Sequence, residues 1–437
     1  MDPTLKPVLP DTARVNAQGH LTLGGCDVAD LAKEYGTPLY VFDEATLRGR
    51  CRAFLQEFRI RYPATQVVYA SKAFSNVALS RLLQEEGLGL DVVSGGELAL
   101  ARRVEFPAER IYLHGNNKSV EELRMALEYH IGAVVVDGLG EVELLERLAA
   151  GWGVTQDVML RVSPGVDPHT HAHTTTGILD SKFGIPIQTG QAEKAMHAAL
   201  RSPHLNLVGL HFHLGSPIFE LEPYRVAIKV VLEFAASFTR QGFQMRTFSP
   251  GGGFAIAYLR DTLPPEIGEY AHIITGALRE GCERHGLPLP QLVVEPGRAI
   301  VGPAGVALYT VGAIKEVPGV RTYVAVDGGM GDNIRPALYG AQYEALLANR
   351  MNEADEQRVT IAGKYCESGD VLVRDALLPP VRTGDLIAMP AAGAYAPAMA
   401  SNYNMAPRPA IVMVKDGKAR LIRRRETYED LMASDIL

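Results

Sequence analysis

The chain has 437 residues, 47% hydrophobic and 21% charged, a composition that fits an ordinary globular protein with two or more domains, or one large barrel with an appendage. A formal net charge of −7 argues against a general nucleic-acid binder, which would carry a basic face. No apolar run approaches the roughly 20 residues needed to cross a bilayer, and the N-terminal MDPTLKPVLPDT has no apolar leader, so a cytoplasmic protein without a membrane partner is expected. The four cysteines, Cys26, Cys51, Cys282 and Cys366, are scattered and lack CxxC spacing, which speaks against a disulfide framework and a structural zinc site.

In chain order, the first 40 residues hold short β-like pieces, HLTLGG and TPLYVFD. Eight apolar runs follow: QVVYA (66–70), LDVVS (90–94), IYLHG (111–115), AVVVD (133–137), VMLRVSP (158–164), LVGLHFHLGS (207–216), MRTFSPGGG (245–253) and LVVEPGR (292–298). Between them, stretches such as NVALSRLLQEEG and SVEELRMALEYH place apolar residues at helical spacing with charges opposite. Repeated strand-then-helix units imply a parallel sheet, and eight of them fit an α/β fold of the (β/α)8, TIM-like kind. A doubly wound open sheet is the second choice, but it more often has a glycine-rich turn after its first strand, whereas here that strand ends in SKAFS. After Arg298 the runs become short, often β-branched and broken by Gly, Pro and Asp, as in TYVAVDGG, RVTIAGKYC and PAIVMVKDGKARLI. They predict a mainly antiparallel β-sandwich or barrel domain, and the tail ETYEDLMASDIL predicts a terminal helix. The expected division is residues 40–305 for the barrel and 1–39 together with 306–437 for the β domain.

A barrel carries its chemistry on the loops at the C-terminal ends of its strands. Those ends supply Lys72; Asp91 and Ser94-Gly95-Gly96-Glu97; His114; Asp137; Arg161; His211, His213 and Ser216; Gly251-Gly252-Gly253; and Glu295-Pro-Gly-Arg298. Three glycines in a row form either a tight turn or a cradle whose backbone N–H groups approach a phosphate, with Ser216 as a further donor. Lys72 either neutralises that phosphate or forms a Schiff base. Glu295 favours the second reading. Beside a phosphate alone a carboxylate is wasteful, but it keeps a pyridine nitrogen protonated, as pyridoxal 5'-phosphate requires of an electron sink.

The ordered set YASKAF, DVVSGGEL, HGNNKS, HFHLGS, GGGF, EPGR, DGGMGDNIRPALY, CESGD and GAYAPAMASNYNMAPRP resembles the diaminopimelate decarboxylase family, in the alanine-racemase-like (fold type III) class of pyridoxal phosphate enzymes. The similarity runs from about residue 30 to about 410. It implies that Lys72 forms the internal aldimine and His213 stacks on the cofactor ring. Ser216, the glycine loop with Gly252 and Gly253, the backbone of Gly297 and Arg298, and the Tyr395 hydroxyl would hold the phosphate, and Glu295 would pair with the pyridine nitrogen. Arg298, Arg335 and Tyr339, with Tyr395, would bind the substrate and its carboxylate, and Glu367 its ammonium. Cys366 would reach the active site from the partner subunit of an obligate homodimer and return the proton, a role shared with Lys72. The activity implied is decarboxylation of meso-2,6-diaminopimelate to L-lysine and CO2, the last step of lysine biosynthesis, through an aldimine and a quinonoid.

Substrate choice turns on charge. An ornithine-like substrate offers only an ammonium at its far end, whereas diaminopimelate offers a carboxylate as well, which Arg335 can grip with a bidentate fork. Decarboxylases of ornithine, lysine, arginine or carboxynorspermidine are the alternatives. A racemase is disfavoured by Glu295, and a silent cofactor-binding protein by the β domain. The HTHAH stretch (His169, His171, His173) has imidazoles on one strand face, but no cysteine or carboxylate pattern accompanies it, and it is not taken as a metal site. His114 and Arg161 read as buried hydrogen-bonding residues rather than as lining of the mouth. Three departures from the family pattern stand out: Pro217 in place of glutamine, which removes a backbone donor beside Ser216; Lys364-Tyr365 before CESGD; and Ile411 in place of a glutamate.

Overall fold

The eight apolar runs all become parallel strands. In the computed structural model, which describes residues 2–167, 181–354 and 356–436, they are β1 (Thr65–Ala70), β2 (Gly89–Val92), β3 (Ile111–Leu113), β4 (Ala133–Val136), β5 (Gln156–Ser163), β6 (Leu205–His211), β7 (Thr247–Ser249) and β8 (Gln291–Val294). Each pairs in parallel with the next. β8 returns to β1, with Val294 opposite Val67, and the ring is continuous through β4 and β5, with Val134 opposite Val158. His169, His171 and His173 lie outside the described residues.

Seven helices alternate with these strands: α1 (Val77–Glu85), α2 (Gly95–Arg103), α3 (Val120–Tyr129), α4 (Leu139–Trp152), α5 (Gln191–Arg201), α6 (Glu222–Ser237) and α7 (Ile267–His285). Local chemistry sets their starts. The Asn76 and Ser94 side chains accept from the first-turn N–H groups of Leu79 and Glu97, and Ser119 with Glu122 forms a capping box. Gly153 and Gly286 end α4 and α7 in the left-handed conformation that glycine adopts without strain.

The barrel core contains Val68, Tyr112, Ala133, Val135, Met159, Val208 and Val293, each buried, and burying one large aliphatic side chain contributes about 1.5–3 kcal/mol. Strand side chains alternate with period two. Tyr112, Val135, Met159 and Val293 are therefore followed on the same face by His114, Asp137, Arg161 and Glu295. The inward stripe that fills the core thus turns polar as it leaves the strands.

The protein divides into two compact units, Cys51–Ala255 with Pro265–Gly297, and Met1–Arg50 with Ile256–Pro264 and Arg298–Leu437. The first holds the barrel. The second is built on a nine-stranded mixed sheet, whose main path runs Val371–Leu378, Gln357–Ala362, Arg321–Val326, Gly305–Val317, Leu39–Asp43, Ala410–Lys415 and Lys418–Arg423. Most of its pairs are antiparallel, but Arg321–Val326 with Gln357–Ala362 and Leu39–Asp43 with Ala410–Lys415 are parallel. Leu39–Asp43 spans the boundary expected at residue 40. Every one of its residues is buried, and it hydrogen-bonds to sheet strands on both sides. The HLTLGG piece enters a small three-stranded sheet of its own, and the tail forms the helix Tyr428–Met432, capped by Thr427. Among the described residues no helix is long and apolar enough to cross a membrane.

Candidate active site

A cavity of about 600 Å³ opens over the C-terminal ends of the barrel strands, a size typical of small-molecule sites. Lys72, His114, Arg161, His211, His213, Gly215 and Glu295 are all in its lining. Lys72 sits in the short 3-10 turn Ser71–Ala73 directly after β1. Its Nζ is 3.8 Å from Asp91 Oδ2, and its side chain is 44% exposed to the cavity rather than desolvated. Gly297 packs against this turn: a Cβ there would lie 3.0 Å from Ala70 Cβ and 3.1 Å from Ala73 Cβ.

Glu295 follows β8 and is buried. Its Oε1 accepts from Ser249 Oγ (2.7 Å) and its Oε2 from His211 Nε2 (3.1 Å), while His114 Nε2 lies 3.8 Å from Oε1. Burial alone pushes this carboxyl up, but the adjacent His211 and His114 and the two donated hydrogen bonds hold it well below the ordinary range. It is an anion. Burial is also the main reason that His114, His211 and His213 are shifted down.

Asp91, after β2, contrasts with Glu295. Neither of its oxygens has a hydrogen-bond partner, and desolvation pushes it up to about 7 against the pull of Lys72. His114 and Arg161 both line the mouth, which corrects the reading of them as hydrogen-bonding residues alone. His114 Nε2 has no hydrogen bond, and Arg161 reaches Asp137 at 3.6 Å with its guanidinium 4.6 Å over the Phe183 ring. Lys118 of HGNNKS is structural, donating to the carbonyls of Gly115 and Val135 and to Glu141.

His213 Nδ1 accepts from the Gly252 N–H (3.3 Å), which leaves Nε2 as the protonated nitrogen of the neutral ring. The three glycines are required by close backbone approach. A Cβ at Gly252 would be 2.2 Å from the Glu295 carbonyl oxygen, and Gly253, at φ +110°, would place one 2.7 Å from the Gly215 carbonyl oxygen. Ser216 is exposed just beyond Gly215.

Within the second unit, Arg298 and Arg335 are buried in a cage of tyrosines. Arg298 Nη1 donates to Tyr258 Oη (2.5 Å), and its guanidinium lies 4.8 Å from the Tyr395 ring centroid. Arg335 Nε donates to Tyr343 Oη (2.8 Å), and its guanidinium lies 5.5, 5.7 and 5.9 Å from the rings of Tyr258, Tyr395 and Tyr339. Arg335 forms no ion pair among the described residues. Tyr258 and Tyr343 were missed in the sequence, and neither has a local signal. Tyr258 joins this unit through the excursion Ile256–Pro264, between β7 and α7.

Cys366 and Glu367 are exposed on a loop of the same unit, and no hydrogen bond among the described residues joins them to the arginine cluster. Asp370 braces the loop, accepting from the Tyr365 N–H (2.8 Å) and from Met330 N–H of the DGGMGD segment (2.6 Å). Asn404 Oδ1 accepts from the Cys366 N–H (2.9 Å). Three motifs far apart in sequence thus meet through Asp370 and Asn404, neither of which was singled out from sequence.

The family described as "Pyridoxal-dependent decarboxylase, pyridoxal binding domain" matches residues 44–302. The diaminopimelate decarboxylase of Bacillus subtilis is 52% identical over 432 residues, covering 98% of each chain. A crystal structure of the M. jannaschii diaminopimelate decarboxylase in co-complex with L-lysine superposes with a TM-score of 0.93 at 36% identity, over 98% of each chain. That of the Helicobacter pylori enzyme complexed with L-lysine gives 0.84 at 31% identity, over 93% of this chain and 98% of the other. The cavity fits the cofactor these relatives imply. It offers a lysine amine, an anionic carboxylate suited to a pyridinium, and buried nitrogens of His114 and His211 that have no hydrogen bond among the described residues. On the fold, the cavity and identity over nearly the whole length, the chain belongs to the diaminopimelate decarboxylase family of pyridoxal 5'-phosphate-dependent carboxy-lyases.

Proposed function

We propose that this protein removes one carboxyl group from meso-2,6-diaminopimelate, giving L-lysine and CO2, the last step of lysine biosynthesis, with pyridoxal 5'-phosphate seated in the barrel mouth. The observation that carries this reading is the presence of Lys72 and an anionic, hydrogen-bonded Glu295 in one cavity. When bound, the cofactor supplies the electron sink for the pair left behind as the carbon–carboxylate bond breaks.

In this reading Lys72 holds the cofactor through Nζ. Its amine would also carry a proton to the carbon that lost CO2, with Asp91 as its neighbouring acid at 3.8 Å. Glu295 keeps the proton on the ring nitrogen, and His213 covers the ring face. Ser216, the glycine loop with Gly252 and Gly253, the backbone of Gly297 and Arg298, and the Tyr395 hydroxyl would hold the phosphate. Arg298, Arg335, Tyr339 and Tyr395 take the substrate's carboxylate end and Glu367 its ammonium, and Cys366 of the partner subunit shares the return of the proton.

The active unit is then a homodimer with active sites at its interface, which the solvent-exposed position of Cys366 supports. Mixing inactive Lys72→Ala and Cys366→Ala proteins is expected to restore activity that neither has alone. If none returns, the shared site is wrong. A cytoplasmic location is supported by the four cysteines, all free, as expected in a reducing compartment.

The decisive experiment is CO2 release from cofactor-loaded protein with meso-diaminopimelate, ornithine, lysine and carboxynorspermidine side by side. Release from meso-diaminopimelate alone, with stoichiometric lysine, is the expected result. Release from another substrate keeps the Lys72 chemistry and overturns the role of Arg335.

A further inference from the structure

We infer that Ser249 is a positioning residue that locks Glu295 in place and ties it to the glycine loop. This rests on the reading of Glu295 as the partner of the cofactor's ring nitrogen. Ser249 ends β7, is fully buried, and makes two hydrogen bonds of opposite sense. Its Oγ accepts from the Gly251 N–H (3.1 Å) and donates to Glu295 Oε1 (2.7 Å). The Glu295 N–H in turn donates to the Gly251 carbonyl oxygen (3.0 Å). Serine, loop and glutamate form a closed circuit: the main chain of Glu295 is pinned to the loop, and its side chain is pinned through the serine.

His211 holds the other oxygen at 3.1 Å, and its Nδ1 is buried with no hydrogen-bond partner. Glu295 thus receives one hydrogen bond on each oxygen, which leaves a lone pair on each for a ligand in the cavity. Two donors on two oxygens also fix the rotation of the carboxylate plane, which one donor does not. A hydroxyl is suited to Ser249, since its single oxygen can accept from an amide and donate to a carboxylate at once.

The inference separates ring-nitrogen chemistry from mere packing. Ser249→Ala should lower kcat about 10- to 100-fold, the range of one hydrogen bond to a charged group, with the KM for diaminopimelate unchanged. Ser249→Thr, which keeps the hydroxyl, should recover most of that loss. In a Glu295→Gln background Ser249→Ala should cost little more, because the two residues act as one unit. A readout independent of turnover is equilibrium binding to the apoprotein of pyridoxal 5'-phosphate and of its carbocyclic analogue, in which CH replaces the ring nitrogen. Ser249→Ala should weaken the first about 10-fold or more and leave the second unchanged.

Equal weakening of both, additive losses with Glu295→Gln, or full activity in Ser249→Ala each overturns the inference while leaving the cofactor site intact. Wild-type protein that binds both compounds equally would overturn the role of Glu295 itself, and this inference with it. If Ser249→Ala does not fold, the comparison of Ser249→Thr with wild type on the two compounds decides in the same way.

Discussion

The two units bury charge in opposite ways. The barrel unit ends its strands in carboxylates and imidazoles with Lys72 and Arg161 among them, Glu295 being held anionic and Asp91 pushed up to about 7. The sheet unit buries two arginines among tyrosines, and among the described residues Arg335 has hydrogen-bonding and ring neighbours but no carboxylate. Burial costs charge free energy wherever it occurs, so what distinguishes these sites is which partners are supplied and which are missing. In the barrel set Asp91 and His114 keep buried atoms without a hydrogen bond among the described residues, and in the arginine set Arg335 has no carboxylate.

Several changes would break or sharpen this contrast. The largest effect is expected from Lys72→Ala, which in the proposed reading removes both the covalent hold and a proton carrier. Turnover should fall by more than the about 10²- to 10⁴-fold that general acid–base catalysis alone supplies, measured as CO2 release at saturating cofactor. Glu295→Gln keeps the shape and removes the charge, and kcat should fall about 10²- to 10³-fold, the range for a fixed electrostatic stabiliser. Full activity in that variant would dissolve the acidic half of the comparison.

Arg335→Met tests the cationic half. It should lower kcat/KM about 10- to 100-fold, mostly through KM, and should narrow the gap between diaminopimelate and substrates with no distal carboxylate. An unchanged preference would mean that the arginine is structural.

The smallest effect is on stability, where the two units behave alike. Each buries an aspartic acid pushed up by desolvation to about 7, Asp91 in the barrel and Asp332 in the sheet unit. A raised pKa means that the folded state keeps a proton the unfolded chain has lost. Stability from these groups is therefore present at acid pH and is lost as pH rises through about 7. Asp91→Asn and Asp332→Asn apoproteins should each melt above wild type at pH 8, and the gain should close as pH falls toward the ordinary carboxylate range. A gain that is constant with pH, in thermal melts across that window, would show that neither acid titrates there.

Much of the barrel was legible because eight short apolar runs, separated by stretches with helical spacing, are local features that pairing with neighbours preserves. Polar residues follow those runs directly, so Lys72, His213 and Glu295 could be named with no coordinates. The domain edges were less legible. Leu39–Asp43 reads as an apolar strand in either unit, and only its hydrogen bonds to Gly305–Val317 and Ala410–Lys415 assign it to the sheet. His114 and Arg161 have the same identity whether they line a cavity or fill a core, so sequence could not separate the two.

The sequence by itself determined the element types, the family and the identity of the residues offered at the strand ends, because these depend on neighbours one to four positions away and on ordered motifs. The tertiary structure alone decided the partners. Ser249 came to Glu295, Tyr258 to Arg298 and Asp370 to Met330 across 46, 40 and 40 positions of chain. The charge state of a buried carboxyl depends on such partners, because in a poorly solvated interior each donated hydrogen bond replaces water that is no longer there. Glu295 and Asp91 are both carboxylic acids at strand ends, and only their surroundings make one an anion and leave the other near 7.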